Sequence, residues 1–139
     1  MNYHNQVDAA GVAAHTIRTP RRADFAQAFY FEGDLSGETF DCVLRSAPNK
    51  DGAPVASLTA VGSVHTLPAA DWRAMGVLPD DDPREGDVQI STILVTHPKA
   101  DMASLPEADV KGRPAELYYA LASQTEVYAA GVFSILETA

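Results

Sequence analysis

The chain has 139 residues, 46% of them hydrophobic and 21% charged, which is one domain's length with enough apolar material for a core and a composition unlike that of a disordered chain. Asp and Glu number 19 against 10 Lys and Arg, a net charge of −9. That balance argues against a nucleic-acid binder, because affinity for phosphate comes from Lys and Arg. A lone cysteine excludes an intrachain disulfide and a Cys-rich zinc site, no apolar run is long enough to span a membrane, and no secretion signal is expected after Met1.

Residues 1–24 differ from the rest. They are small and polar, show no steady period, and carry Arg18, Arg21 and Arg22 against Asp8 and Asp24, a net charge of +1. Pro20 discourages a helix through it. This segment reads as an extended N-terminal arm. Its functional reading is a basic strap that docks on the acidic surface of a neighbouring subunit, with Arg18, Arg21 and Arg22 as the interface residues; its plain reading is a frayed terminus. Residues 25–139 form the domain.

Phe25, Phe29 and Phe31, with Tyr30 between them, make an aromatic-rich strand closed by the turn Glu32-Gly33-Asp34. Phe40, Cys42 and Leu44 then alternate with Asp41, Val43 and Arg45, the period of a half-buried strand. Pro48 to Gly52 is dense in turn formers, and Val55 to Val61 alternates again, so the pair reads as a hairpin. Leu67 to Gly76 spans one or two helical turns, with Pro68 near the start and Gly76 as the stop. Leu78 to Gly86 holds Asp80, Asp81, Asp82, Glu85 and two prolines, and reads as a solvated, mobile acidic loop. Val88 to Val95 is another alternating strand. Thr96 is placed to cap a short helix through Pro98, Ala100, Met102 and Leu105. Two last strands, Leu117 to Leu121 and Val127 to Leu136, are joined by the turn Ser123 to Glu126.

Helices long enough for parallel crossovers are missing from this pattern. The expected architecture is therefore mainly β: an antiparallel β-sandwich of six or seven strands with two short helical turns and the extended arm.

Signals for chemistry are weak. Gly33-Asp34-Leu35-Ser36-Gly37 places its serine one position too late for a nucleophile elbow, and a strand follows where a helix is needed. His4, His15, His65 and His97 form no metal-binding spacing on a helix. The acidic loop breaks the calcium-loop pattern with its proline and misplaced glycine. Cys42 lies in an apolar alternation and reads as a buried, inert thiol. Tyr118, Tyr119, Tyr128 and Phe133 read first as core and second as a sugar-binding platform, and Trp72 as a cap over one end of the sandwich. No catalytic residue, metal or cofactor is expected.

The order of the runs is similar to a β-sandwich domain of phage tail and baseplate proteins. The turn Asp34-Leu35-Ser36-Gly37 precedes a strand ending at Arg45, a Pro/Gly turn leads to Pro54-Val55-Ala56-Ser57-Leu58, and Ala100-Asp101 to Leu105-Pro106 matches a short turn after the strand Ile90 to Leu94. Tyr119-Ala120-Leu121 and Gly131 to Ile135 fit the closing strands. The resemblance covers about residues 25–136, with 62–86 as an insertion. It implies a non-enzymatic structural component of a phage or gene-transfer-like particle (tail, baseplate, fibre or head decoration), located in the virion. Its partners would be other virion proteins and further copies of itself. The competing expectation is a carbohydrate-binding module for a cell-surface polysaccharide, which needs exposed Tyr or Trp on one face.

Overall fold

The computed structural model describes residues 6–7, 13–14, 16–47, 53–106 and 116–136. The elements run in the order β1 (Gln6–Val7), β2 (Ala13–Ala14), β3 (Ile17–Pro20), β4 (Phe25–Glu32), β5 (Phe40–Arg45), β6 (Pro54–Pro68), α1 (Ala69–Ala74), β7 (Asp87–His97), α2 (Lys99–Met102), β8 (Glu116–Ser123) and β9 (Val127–Leu136). The chain is mainly β with two short helices. No helix among the described residues is long and apolar enough to cross a membrane.

The strands make one 9-stranded sheet in the order β1-β2-β9-β8-β5-β6-β7-β4, with β3 also on β9. This corrects the expected sandwich in two respects. The sheet is mixed, because β2 and β3 run parallel to β9 while the other pairs are antiparallel. It is also continuous, because β6 belongs to both halves. Its first part pairs with β5 as far as Leu58, and from Thr59 to Pro68 it pairs with β7. A strand that changes partner in mid-course turns a corner, so the sheet curls towards a barrel. Residues 62–68, expected within an insertion, are the continuation of this strand.

The inner faces follow the alternation read from sequence. Phe25 and Phe29 of β4 and Ile93 and Val95 of β7 meet Leu44, Leu117, Tyr119, Leu121, Phe133 and Ile135 from the other half. Aromatic contacts cross the interior: Phe25 lies edge-on to Phe133 at 5.1 Å, and Phe29 is tilted against Tyr119 at 6.1 Å. Such pairs add to what burial of the rings contributes, by about 0.5–1.5 kcal/mol each. A smaller cluster lies on the opposite face of β7, where Val88 and Ile90 pack with Trp72, Val77 and Leu78. Trp72 is 3% exposed, and its indole Nε1 donates to the Val88 carbonyl at 2.9 Å, so it covers the outer face of β7, where a cap over one end of a sandwich was expected. Gly76, at φ 77°, ends α1 in the left-handed conformation that glycine adopts without strain.

The acidic segment before β7 is held in place, contrary to the mobile loop expected. Leu78 is buried. Arg73 donates to the carbonyls of Asp82 (3.0 Å) and Arg84 (2.8 Å). Arg84 in turn pairs with Asp82 and with Glu32 at the end of β4, both at 2.7 Å. The Arg84 guanidinium holds Asp82 down to about pKa 2.

Residues 17–24, read from sequence as part of a free arm, are used within the chain's own fold. Ile17 and Thr19 are buried on β3, in register with Phe133 and Ile135. The next turn clasps α2 at both ends. Asp24 Oδ1 accepts the Lys99 amide at 2.7 Å, taking the capping role expected of Thr96. The Arg21 guanidinium donates to the carbonyls of Met102 (3.3 Å), Leu105 (2.6 Å) and Pro106. An acid at the amide end and a cation at the carbonyl end both suit the helix dipole. Met102 and Leu105, held this way, enter the main core.

Arg21→Ala and Asp24→Ala are each expected to destabilise the fold by about 1–2 kcal/mol. The readout is a lower urea midpoint at unchanged slope; two unchanged midpoints would show that α2 needs no clasp.

Candidate functional site

The partner switch of β6 opens a gap in the sheet. Phe40 and Asp41 of β5 pair with β8, whereas β6 beyond Leu58 has moved over to β7. Between them lies a cleft of about 200 Å3 lined by Ser36, Glu38, Ser63, Phe40, Ile93 and Gly62, among others. Gly62 suits this place: a Cβ there would lie 3.3 Å from Ile93 Cδ1 and 3.6 Å from the Phe40 ring.

The β4–β5 connection forms one wall. Gly33 adopts φ 102°, Asp34 Oδ1 accepts the Ser36 amide at 2.9 Å, and a strand follows, so this is the turn expected and not a nucleophile elbow. Ser91 fastens the turn to β7. Its hydroxyl donates to the Gly33 carbonyl at 2.7 Å and accepts the Leu35 amide at 2.9 Å. Further along, Glu38 receives the hydroxyls of Ser123, Thr125 (2.9 Å) and Tyr128. The Tyr128 ring is wedged between Phe31 and Phe40, 5.5 Å from each. These donors, Ser123 first, hold Glu38 below the usual glutamate value, while desolvation, followed by the Glu38 carboxylate, pushes Tyr128 up.

Chemically, the polar groups of this wall are engaged with one another. A carboxylate held ionised by three hydroxyls is a weak base, and Ser91 has committed its proton to a carbonyl. None of the lining residues is His, Lys or Cys. Cys42 is buried, and desolvation pushes its thiol up to about 12. Among the described residues no group of three or more His, Cys, Asp and Glu is placed to hold a metal ion.

The three arginines named from sequence part company. Arg18 and Arg22 are exposed, whereas Arg21 turns onto α2. His4 and His15 lie outside the described residues, and His65 and His97 stand on different strands, β6 and β7. Of the aromatic cluster, Tyr119 and Phe133 are core, while Tyr118 and Tyr128 are half-buried.

The rim of the cleft carries the feature that residue-by-residue reading passed over. From Ala60 onward, the side of β6 that turned away from β5 has no strand beside it among the described residues. None of the 15 residues of β6 is Asp, Glu, Lys or Arg. On the outer face Val61 is 60% exposed, and its cross-strand neighbour Leu94 is 44% exposed. The visible signal was the absence of charge from Gly52 to Ala70 in a chain that is 21% charged. No protein-family model matches the chain, and no curated protein does.

Two outcomes check this description. The Cys42 thiol should be inert to a maleimide in the native protein and react on unfolding; rapid native labelling would contradict its burial. The second concerns pH. Because Glu38 is lowered in the folded state, its contribution to stability is present above the ordinary glutamate value of 4.5 and is lost as pH falls through the folded value. Glu38→Gln should therefore melt below the parent near neutral pH, with the two curves converging on acidification. Parallel curves would show that the hydroxyl cluster carries no charge-dependent stability.

Proposed function

We propose that this chain is a non-enzymatic structural component of a phage or phage-like particle, acting through protein–protein contacts. The observation that carries the proposal is the open, uncharged edge of β6. Edge strands offer a row of unsatisfied amides and carbonyls, and proteins that do not use them protect them with charge, proline or bulges. Beyond Leu58, β6 runs ten residues with no charge, and its only proline is the last, Pro68. An edge left unprotected in this way suits strand addition by a partner. The resemblance of the sequence's turns and runs to those of phage tail and baseplate domains favours the particle as the setting, where repeated copies would make weak contacts effective. A polysaccharide-binding module would present open aromatic rings, whereas Trp72, Tyr119 and Phe133 are spent in the interior.

Co-expression with the products of the flanking genes tests the proposal. The chain should co-migrate with at least one virion-type protein on size-exclusion chromatography and appear in assembled particles. Particles that form normally without it and never contain it, or a glycan-array signal abolished by Ala at Tyr118, would overturn the reading.

A further inference from the structure

We propose that two copies of this chain join through β6, edge to edge and antiparallel about a twofold axis, so that the β6-β7-β4 half of one sheet continues into that of its partner. The inference rests on the reading that the chain works through its surface, and adds which surface and which partner.

Two strands end the β6-β7-β4 half, and they are not equivalent. β4 has 8 residues, of which only Ala26 and Glu32 are exposed, and its Glu32 end is tied to Arg84. β6 is longer, and Thr59, Val61, Gly62, Ser63, His65 and Thr66 are all exposed. The edge that can receive a new strand is therefore that of β6.

Charge selects the occupant. The chain carries −9 overall, so two copies repel wherever their acidic surfaces meet. In the β6-β7-β4 half the Asp, Glu, Lys and Arg residues are Glu32 and Asp87, both at the end beside α1. A basic foreign partner would be steered by acidic groups on its target; β6 itself carries none, and Glu38, the carboxylate lining the cleft beside it, is already engaged by three hydroxyls. The surface that complements an uncharged strand is another uncharged strand, and a twofold contact presents each copy with its own. Antiparallel pairing of β6 with itself would satisfy its outward amides and carbonyls. It would also bring Val61 of each copy onto one joined face beside Leu94, whose neighbours there are the uncharged Thr92, Thr96 and Ala28.

The test is sedimentation velocity of the full chain over a wide concentration range, with the double variant Val61→Lys, His65→Lys alongside. Both positions are exposed, and like charges opposite one another across strands oppose pairing. The parent should pass from monomer to dimer with rising concentration, and the variant should associate at least about tenfold more weakly, equivalent to about 1.4 kcal/mol, with an unchanged circular dichroism spectrum. As a check that does not depend on how the charged variant folds, single cysteines introduced from Thr59 to Thr66 are oxidised in turn. Crosslinking should peak at one position or one adjacent pair and fall away on both sides. A parent that stays monomeric throughout, a charged and folded variant that dimerises like the parent, or crosslinking without a maximum along β6 would each overturn the inference. A monomeric parent that still enters particles would remove the dimer and leave the proposed function standing, whereas a β6 dimer that meets no virion protein would do the reverse.

Discussion

The change of partner between Leu58 and Thr59 is the constraint on which most of this molecule depends. One strand serves two halves of the sheet, so neither half can be laid flat beside the other and the sheet must curl. The curl brings Phe25 and Phe29 onto the far wall of Phe133 and Tyr119. The same divergence leaves β5 and β6 apart at their Phe40 and Gly62 ends, which makes the cleft, and strips β6 of a neighbour on one side, which makes the edge. Core, cleft and edge are therefore consequences of a single bend.

Curling creates open ends as well as an interior, and the chain closes one with α2. Four residues of helix have no stability of their own. Here the helix is fixed from outside, by Asp24 at its first amide and Arg21 at its last carbonyls, so that Met102 and Leu105 stay in the core. The basic segment near the N-terminus thus has an internal task, and two arginines, Arg18 and Arg22, remain at the surface. At the other end α1, Trp72 and the Arg73–Asp82–Arg84 contacts cover the outer face of β7. In the β6-β7-β4 half the acidic residues, Glu32 and Asp87, lie at that end, and the rest of its strands carry no Asp, Glu, Lys or Arg.

Alternation along the chain determined a good deal. Period two in Phe40 to Leu44 and Leu117 to Leu121 marks which side chains turn inward, and the buried positions follow it, whereas β7 buries both its faces in turn, Val88 and Ile90 against Trp72 and Ile93 and Val95 in the main core. The hairpins 40–45 with 54–58 and 116–123 with 127–136, the helical turn at Trp72 and the inert Cys42 were readable for the same reason: each depends on neighbours in sequence. Ile17 and Thr19 were not readable as strand, because two buried positions in four residues make no period. Nor was Arg84, whose partners Asp82 and Glu32 show nothing in sequence to separate them from any other acids. Glu38 and Tyr128 stand 90 residues apart, and only the curl brings them together. Local pattern fixes which face of a strand is apolar, because the pleat has a strict period; it says nothing about which strand lies beside it. Partner choice at Leu58, the parallel seat of β3 on β9, and the bare edge of β6 are properties of strand order, and strand order is set by the packing of distant side chains into one interior.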